Sequence, residues 1–135
     1  MRKTISTHIK NQVALRANFH CEYCLQPEQV SFFSFHIDHI ISIKHGGNSY
    51  LNNLAYCCPD CNHAKGSDIA SIIKHDILVR FFNPRKDSWK DNFDIIDGAI
   101  IGKTEIGKVT ERIFKFNELE RLIFRKQLIA LQLYI

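Results

Sequence analysis

The sequence has no long apolar run, no internal repeat and no low-complexity stretch. Its apolar segments are short and interrupted by charged residues, and its first residues lack the apolar core of a signal peptide. Hydrophobic residues make up 45% of the chain and charged residues 24%, close to globular averages, so the composition suggests neither a disordered nor a fibrous protein. We therefore expect a globular protein without a membrane partner, located in the cytoplasm.

The charge of the chain shows only a small excess of one sign. Its 18 Lys and Arg residues against 14 Asp and Glu residues give a net charge of +4, and the two halves share this excess equally. A polyanionic partner is favoured, but there is no basic tail to bind one. A surface for nucleic acid must therefore come from the arrangement of residues in space.

Two C-x-x-C pairs stand out among the five cysteines. Residues 21–24 read CEYC and residues 58–61 read CPDC. Each pair can place two thiolates on one tetrahedral ion, so the predicted zinc ligands are Cys21, Cys24, Cys58 and Cys61. Two such pairs in a chain without secretory features favour structural zinc, with disulfides or free thiols as the alternative. Cys57 is expected to be a small, partly buried apolar residue.

Between the pairs, residues 35–40 read FHIDHI and mix strand-forming residues with groups that bind protons or metals. Metal-assisted hydrolysis needs a base that activates water and a cation that neutralises developing negative charge. His39 is a suitable base, because imidazole titrates near about 6.5. Asp38 and Asn62 offer the oxygen ligands that Mg²⁺ prefers. In an ideal strand Asp38 and His39 point to opposite faces, so we expect the strand to twist or end there.

Apolar spacing in the first part of the chain predicts a helix followed by two strands. The helix is predicted to run to about Asn18, with Thr4 or Thr7 as its N-cap. Residues 32–41 are predicted to form a strand. The glycines after His45 predict a turn, and the strand that follows is short.

A second helix is predicted to begin near Cys61 or Asn62. It runs to about Ala70, with a continuation to Phe81 left open, and it ends before Pro84 because the residue preceding proline disfavours helix.

The last third of the chain has a different pattern. Residues 93–101 predict a hairpin, because two apolar runs flank an Asp-Gly turn. Residues 104–116 and 118–133 predict two helices, with Asn117 as the N-cap of the second.

The motifs occur in an order that resembles the HNH nuclease family. Over about residues 8–67 they are CEYC, DHI, HGGN, NNL, CPDC and NHAKG. They resemble the variant in which a four-cysteine zinc site brackets the hairpin and helix of the ββα-metal fold. The resemblance implies an α+β fold with flanking helices, and a metal-dependent endonuclease that hydrolyses phosphodiester bonds in DNA.

The resemblance also implies a role for each matching residue. His39 matches the first histidine of the family name and would be the general base. Asp38 matches a metal ligand, and Asn53 matches the central asparagine, whose amide pins the loop that carries the histidine. Asn62 falls where many relatives carry the last histidine and would be the second ligand of the divalent ion. The identity of that ion stays open, because an amide oxygen binds most transition ions more weakly than imidazole does.

Each of these residues also has an ordinary structural interpretation. Asp38 and His39 could form a hydrogen-bonded couple at the surface. Asn53 could be a turn residue, and Asn62 could be the N-cap of the second helix.

Two residues are candidates for contacting a substrate phosphate. Lys65 would either contact the DNA backbone or be solvated, and His45 is a weaker candidate of the same kind. His36 and His63 are expected to be ordinary, partly exposed side chains.

Residues 84–135 are expected to form a C-terminal extension of a nuclease core at residues 1–83. The P-R-x-x-x-W pattern before the hairpin resembles an extension found on some bacterial HNH proteins. We expect Trp89 and Phe93 to cover the nuclease core rather than to read DNA.

A different class of protein fits part of the sequence. A zinc-ribbon-like module that binds nucleic acid or protein without cutting it would account for the cysteines. It would leave Asp38, His39, Asn53 and Asn62 without a role. A redox protein fits less well, since nothing resembles a thioredoxin context.

Overall fold

The computed structural model describes residues 5–134 and shows an α+β fold, as predicted. One of the two residues expected to cap the first helix, Thr4, lies outside the described residues. The helices are α1 (Thr7–Arg16), α2 (Pro59–Lys65), α3 (Trp89–Asn92), α4 (Glu105–Ile113) and α5 (Leu119–Ala130). The strands are β1 (His36–His39), β2 (Leu54–Cys57), β3 (Ala70–Ile72), β4 (Leu78–Arg80), β5 (Phe93–Ile96) and β6 (Ala99–Gly102).

The described strands pair as three antiparallel hairpins, β1–β2, β3–β4 and β5–β6. In the first hairpin, His36 lies opposite Cys57 and His39 lies opposite Leu54. This hairpin and α2 therefore form the expected ββα unit. No helix within residues 5–134 is long and apolar enough to span a membrane.

Helix α1 differs from the prediction at both ends. Its N-cap is Ser6, whose Oγ accepts a hydrogen bond from the N–H of Ile9 at 3.2 Å, so Thr7 is the first helical residue instead of the cap. The helix ends at Arg16, because Asn18 takes a left-handed conformation with φ 51°.

Strand β1 is shorter than the predicted strand at residues 32–41. Before it, the backbone N–H and C=O of Phe33 bond to Ser31 Oγ, which forms a local turn. After it, the N–H of Ile41 donates to the side chain of Asn53 at 2.9 Å. The backbone groups of Phe33 and Ile41 therefore bond to side chains, whereas in a longer strand they would pair with a neighbouring strand.

The predicted start of the second helix is wrong by two or three residues. Helix α2 begins at Pro59, and Cys58 is its N-cap, with Sγ accepting from the N–H of Cys61 at 3.4 Å. Proline is well suited to this first position, since it needs no hydrogen-bond acceptor there. The helix ends at Lys65, and Gly66 follows with φ 54°.

The continuation of the second helix to Phe81 is also wrong. Residues 70–80 form the β3–β4 hairpin, with His75 and Asp76 at positive φ between the strands. The N–H of Phe81 extends the pairing by donating to the carbonyl of Ile69 at 3.0 Å. Short apolar runs of this kind fit a strand as well as a helix, so their spacing alone did not decide the structure.

The predicted C-terminal hairpin is confirmed. Asp97 and Gly98 join β5 to β6 with φ 50° and 82°, the two left-handed residues that a tight hairpin turn requires. Asn117 is not the N-cap of α5, which is Glu118. The Asn117 amide instead accepts from the N–H of Ile100 at 2.9 Å and donates to its carbonyl at 2.8 Å.

One hydrophobic core includes residues from both the first 83 residues and the rest of the chain. The ring of Tyr23 lies 4.8 Å from that of Phe114, and the indole of Trp89 donates to the carbonyl of Tyr23 at 2.8 Å. Trp89 also packs on Phe93, which is 1% exposed. Aromatic residues of the two parts of the chain therefore pack in one core.

Candidate metal centre and active site

Four buried cysteines converge from the two C-x-x-C pairs. The sulfur atoms of Cys21, Cys24, Cys58 and Cys61 all lie within 4.8 Å of one another. The sulfurs of Cys24 and Cys58 are 3.7 Å apart. Zinc–sulfur bonds of about 2.3 Å in a tetrahedron separate the sulfurs by about 3.8 Å, whereas a disulfide bond is about 2.05 Å long. The cluster therefore has the dimensions of a metal site and not of a disulfide pair.

The first cysteine pair is attached to strand β2. Glu22 donates its N–H to the carbonyl of Tyr56 at 2.9 Å, and its carboxylate accepts the Tyr56 N–H at 2.8 Å. The second pair lies at the start of α2, immediately after the same strand. Strand β2 thus brings the two pairs together.

The electrostatic environment differs among the cysteines of the cluster: hydrogen bonds from Cys21 and Cys24 raise the pKa of Cys58, and burial raises the pKa of Cys61. Burial raises the pKa of the Cys21 thiol, but hydrogen bonds from the neighbouring cysteines outweigh burial and hold that pKa well below its usual range. Arg121 in α5 donates to the sulfur of Cys61 at 3.1 Å. Burial lowers the pKa of Arg121, but the nearby sulfur atoms of Cys61 and Cys24 more than compensate, so the guanidinium stays charged.

Cys57 lies outside this cluster, as predicted, although it is fully buried rather than partly buried. Its thiol donates to the carbonyl of Cys58 at 3.5 Å, and burial raises the pKa of the thiol. It therefore behaves as a small apolar residue.

Asp38, His39 and Asn62 line one open cleft of about 500 Å³. Strand β1 ends at His39, so the strict alternation of faces ends there too. The side chains of Asp38 and His39 are only 6% and 8% exposed, so they do not form a surface couple. The structure brings together the three residues that the sequence predicted for the base and the divalent ion.

The Asp38 carboxylate has a hydrogen-bond donor on each oxygen. The hydroxyl of Tyr23 donates to Oδ2 at 2.6 Å, and the ammonium of Lys65 donates to Oδ1 at 3.2 Å. Burial raises the pKa of Asp38, while Lys65 and Tyr23 oppose this effect in part. Asp38 is thus held in one orientation between β1, α2 and the first cysteine pair.

The imidazole of His39 has a neighbour that the sequence did not suggest. Its Nε2 lies 3.0 Å from the Oγ of Ser49, ten residues further along the chain. Ser49 directly follows the His-Gly-Gly-Asn turn, which is the signal that could have identified it.

The amide of Asn53 joins both ends of the loop that follows His39. Its Oδ1 accepts from the N–H of Ile41 at 2.9 Å, and its Nδ2 donates to the carbonyls of Ile41 at 2.9 Å and Asn48 at 2.8 Å. Gly47 lies against this arrangement, and an added Cβ there would be 1.7 Å from the Ile41 carbonyl oxygen. These bonds are the ones expected of a residue that pins the loop.

Asn62 lies inside α2, where its N–H donates to the carbonyl of Cys58 at 2.9 Å. The interpretation of Asn62 as a helix N-cap is therefore wrong. His63, the next residue, is exposed and lines a different cavity, between α2 and α5.

The two candidates for a phosphate contact have different environments. Lys65 is 2% exposed and also donates to the carbonyl of His39 at 3.0 Å, so the alternative of a solvated lysine is wrong. His45 is exposed at the end of the short helical turn Ile43–His45.

A second cleft, of about 830 Å³, continues from the first. Both are lined by Ile37, His39 and Asn62, and the second extends to Lys10 and His36 beside α1. His39 and Asn62 therefore lie where the two clefts meet.

The hairpin of β1 and β2 followed by α2, with a four-cysteine cluster beside it, is the arrangement of a ββα-metal fold. Comparison with protein families gives the same result, since residues 21–68 match the model of the family described as HNH endonuclease. The match confirms the resemblance found in the sequence, and it ends before the β3–β4 hairpin. Comparisons with curated proteins and with solved structures gave no significant match.

Proposed function

We propose that this protein is a metal-dependent endonuclease that hydrolyses phosphodiester bonds in DNA. The observation that supports this function most directly is the meeting of Asp38, His39 and Asn62 in one cleft, within the segment that matches HNH endonucleases. A zinc-binding module without catalysis would need only the cysteine cluster.

His39 is the general base in this proposal and takes a proton from the attacking water. In the tautomer whose Nε2–H donates to Ser49 Oγ, Nδ1 is the nitrogen that would accept this proton. Asn53 keeps the loop after His39 in place, because its amide bonds to both ends of that loop.

Asp38 and Asn62 would hold the divalent ion, Mg²⁺ or another. Their carboxylate and amide oxygens suit a hard cation, and both residues line the same cleft. When bound, the ion would neutralise charge that develops on the phosphoryl and leaving oxygens. Asp38 already has two donors, but a carboxylate offers about four lone pairs and so retains room for a cation.

The four-cysteine cluster would hold a structural zinc ion. Its four sulfurs, its burial and its spacing fit tetrahedral thiolate coordination. Such a site is closed, so it would stabilise the ββα unit rather than take part in the reaction.

DNA would lie along the two joined clefts. The exposed side chains of Lys10 and Lys44 line their outer parts, and the net charge of +4 favours a polyanion. Lys65 and His45 were expected to contact phosphate. Of these two, only His45 has the exposure for a direct contact, because Lys65 is enclosed between Asp38 and the His39 backbone.

Plasmid cleavage tests this proposal. Wild-type protein should cut DNA in the presence of Mg²⁺ or Mn²⁺. His39→Ala should lose about 10²-fold or more of the cleavage rate, the range that removal of a general base costs, while keeping its fold and its zinc. His63→Ala is the matched control, because His63 is an exposed histidine on α2 outside the cleft, and it should retain full activity.

Two outcomes would contradict parts of the proposal. If the wild type binds supercoiled, linear and branched DNA but cuts none of them with any divalent ion, the protein is a binding module. If His39→Ala cuts as fast as His63→Ala, the protein is a nuclease with a different base.

A further inference from the structure

Tyr23 connects the two candidate metal sites. It lies between Cys21 and Cys24 in the sequence, and its side chain is fully buried. From this position its hydroxyl donates to Asp38 Oδ2 at 2.6 Å. Tyr23 is thus part of the backbone segment that carries Cys21 and Cys24, and its side chain also contacts Asp38, the proposed ligand of the divalent ion.

The position of Tyr23 is fixed from several sides. Its ring packs 4.8 Å from Phe114, and its carbonyl accepts the indole N–H of Trp89 at 2.8 Å. The cysteines on either side are both buried in the cluster. The phenol therefore has little freedom to turn away from Asp38.

Lys65 completes the environment of the carboxylate. Its ammonium holds Oδ1 at 3.2 Å and the carbonyl of His39 at 3.0 Å. With one donor on each oxygen, the carboxylate plane is fixed, and the remaining lone pairs keep a constant direction. Removal of a side chain that fixes a metal ligand in this way commonly lowers metal affinity by about 10-fold to 100-fold.

We propose that Tyr23 is a positioning residue through which the four-cysteine site sets the affinity of Asp38 for the divalent ion. This inference rests on the proposed function, because it takes Asp38 to be a ligand of that ion. It adds that the ion site depends on the fold of the first cysteine pair through one phenol–carboxylate hydrogen bond.

The direct test is Mn²⁺ binding, measured by electron paramagnetic resonance without DNA. Tyr23→Phe removes only the hydroxyl and keeps the ring that packs on Phe114. We expect this variant to bind Mn²⁺ about 10-fold more weakly than the wild type, with unchanged zinc content and a small fall in melting temperature, because one buried hydrogen bond is lost.

Tyr56→Phe is the matched control. Tyr56 lies on strand β2 and makes an equally short bond, 2.6 Å, from its hydroxyl to the carboxylate of Glu28, and none of its described hydrogen bonds or ring contacts involves Asp38. This variant should bind Mn²⁺ as the wild type does. Asp38→Ala should abolish the binding and so show that the measured site is the one proposed.

A measurement on the unaltered protein covers the case in which Tyr23→Phe does not fold. In protein labelled with ¹³C at the tyrosine ζ carbon, the Tyr23 resonance should shift during a Mg²⁺ titration, while the Tyr56 resonance stays in place. A Tyr23 resonance that does not move would overturn the inference.

The outcomes separate this inference from the proposed function. If Tyr23→Phe and Tyr56→Phe bind Mn²⁺ equally well, the role of Tyr23 is refuted, while cleavage that depends on His39 still supports the nuclease. If Mn²⁺ binding does not depend on Asp38, the inference and the assignment of the ion ligand both fail.

Discussion

At the scale of single residues, the site depends on polar side chains that are buried and fully bonded. Asn53 is the clearest case, since it is 6% exposed and its amide makes three hydrogen bonds to backbone groups of Ile41 and Asn48. The backbone carbonyl of Asn53 accepts a hydrogen bond from the N–H of Ile40 at 2.9 Å. The position of His39, one residue before Ile40, therefore depends on Asn53.

The prediction at this scale concerns Asn53→Ala. The substitution leaves the backbone groups of Ile41 and Asn48 without their partner in a partly buried place. We expect the free energy of unfolding to fall by about 2–3 kcal/mol in urea denaturation with zinc present, and cleavage to fall as His39 loses its position.

The control for this prediction is Asn48→Ala. The Asn48 side chain is exposed and bonds only the N–H of Tyr50, at 3.0 Å, among the described contacts, so its loss should cost about 0.5 kcal/mol. If the free energy of unfolding falls equally in Asn53→Ala and Asn48→Ala, the Asn53 amide does not stabilise the loop in the way proposed.

At the scale of secondary-structure elements, helix α5 packs against the cysteine cluster. Arg121 donates to the Cys61 sulfur, and the same guanidinium bonds the carbonyls of Phe114 at 2.5 Å and Lys115 at 3.0 Å. Just beyond the helix, the hydroxyl of Tyr134 donates to the carbonyl of Cys24. A zinc ion with four thiolates would carry two net negative charges, and the positive charge of Arg121 would offset part of them.

The prediction at this scale concerns zinc retention. Elemental analysis should find about one zinc per chain, and Cys58→Ser should lose the fold together with the metal.

Arg121→Met should keep the fold but release zinc to a competing chelator at about 10-fold lower chelator concentration, because the side chain that bonds the Cys61 sulfur is lost.

Lys126→Met provides the comparison for Arg121→Met. Lys126 is an exposed cation on the same helix, so this variant removes the same charge without touching the cluster. The proposed role of Arg121 is wrong if both variants release zinc alike. A well-folded protein without zinc would refute the structural metal itself.

At the scale of the whole molecule, a single core connects residues 5–83 to residues 84–134. Phe81 packs edge-to-face on Phe114 at 5.2 Å, and Phe82 packs on Phe93 at 5.4 Å. The N–H of Phe82 also donates to the hydroxyl of Thr110 at 2.8 Å. The second part of the chain therefore covers aromatic residues of the first.

The prediction at this scale is that truncation after Asn83 destabilises the protein. Removal of Phe93 and Phe114 would expose Tyr23, Phe81 and Phe82, so the fragment of residues 1–83 should aggregate or be cleaved rapidly in limited proteolysis. Adding residues 84–135 as a separate chain should restore protection. A soluble, active fragment of residues 1–83 would show instead that the extension is a separate module.

The sequence by itself determined the features that depend on local chemistry. The C-x-x-C spacings predicted the cysteine cluster, because two thiols at that spacing can bind one ion. The Asp97–Gly98 pair predicted the β5–β6 turn, because few other residues accept two left-handed conformations in succession. The order of motifs predicted the ββα unit and the residues that line its cleft.

Only the tertiary structure decided the features that depend on contacts between distant residues. Residues 70–80 form a hairpin rather than a helix because they pair with each other and pack on α4, where Arg112 donates to the Ile72 carbonyl. Tyr23 and Lys65 reach Asp38 across 15 and 27 residues, and Arg121 reaches Cys61 across 60. The local sequence around each residue does not record such partners, since they meet only when the hairpin, the cysteine cluster and helix α5 are packed together.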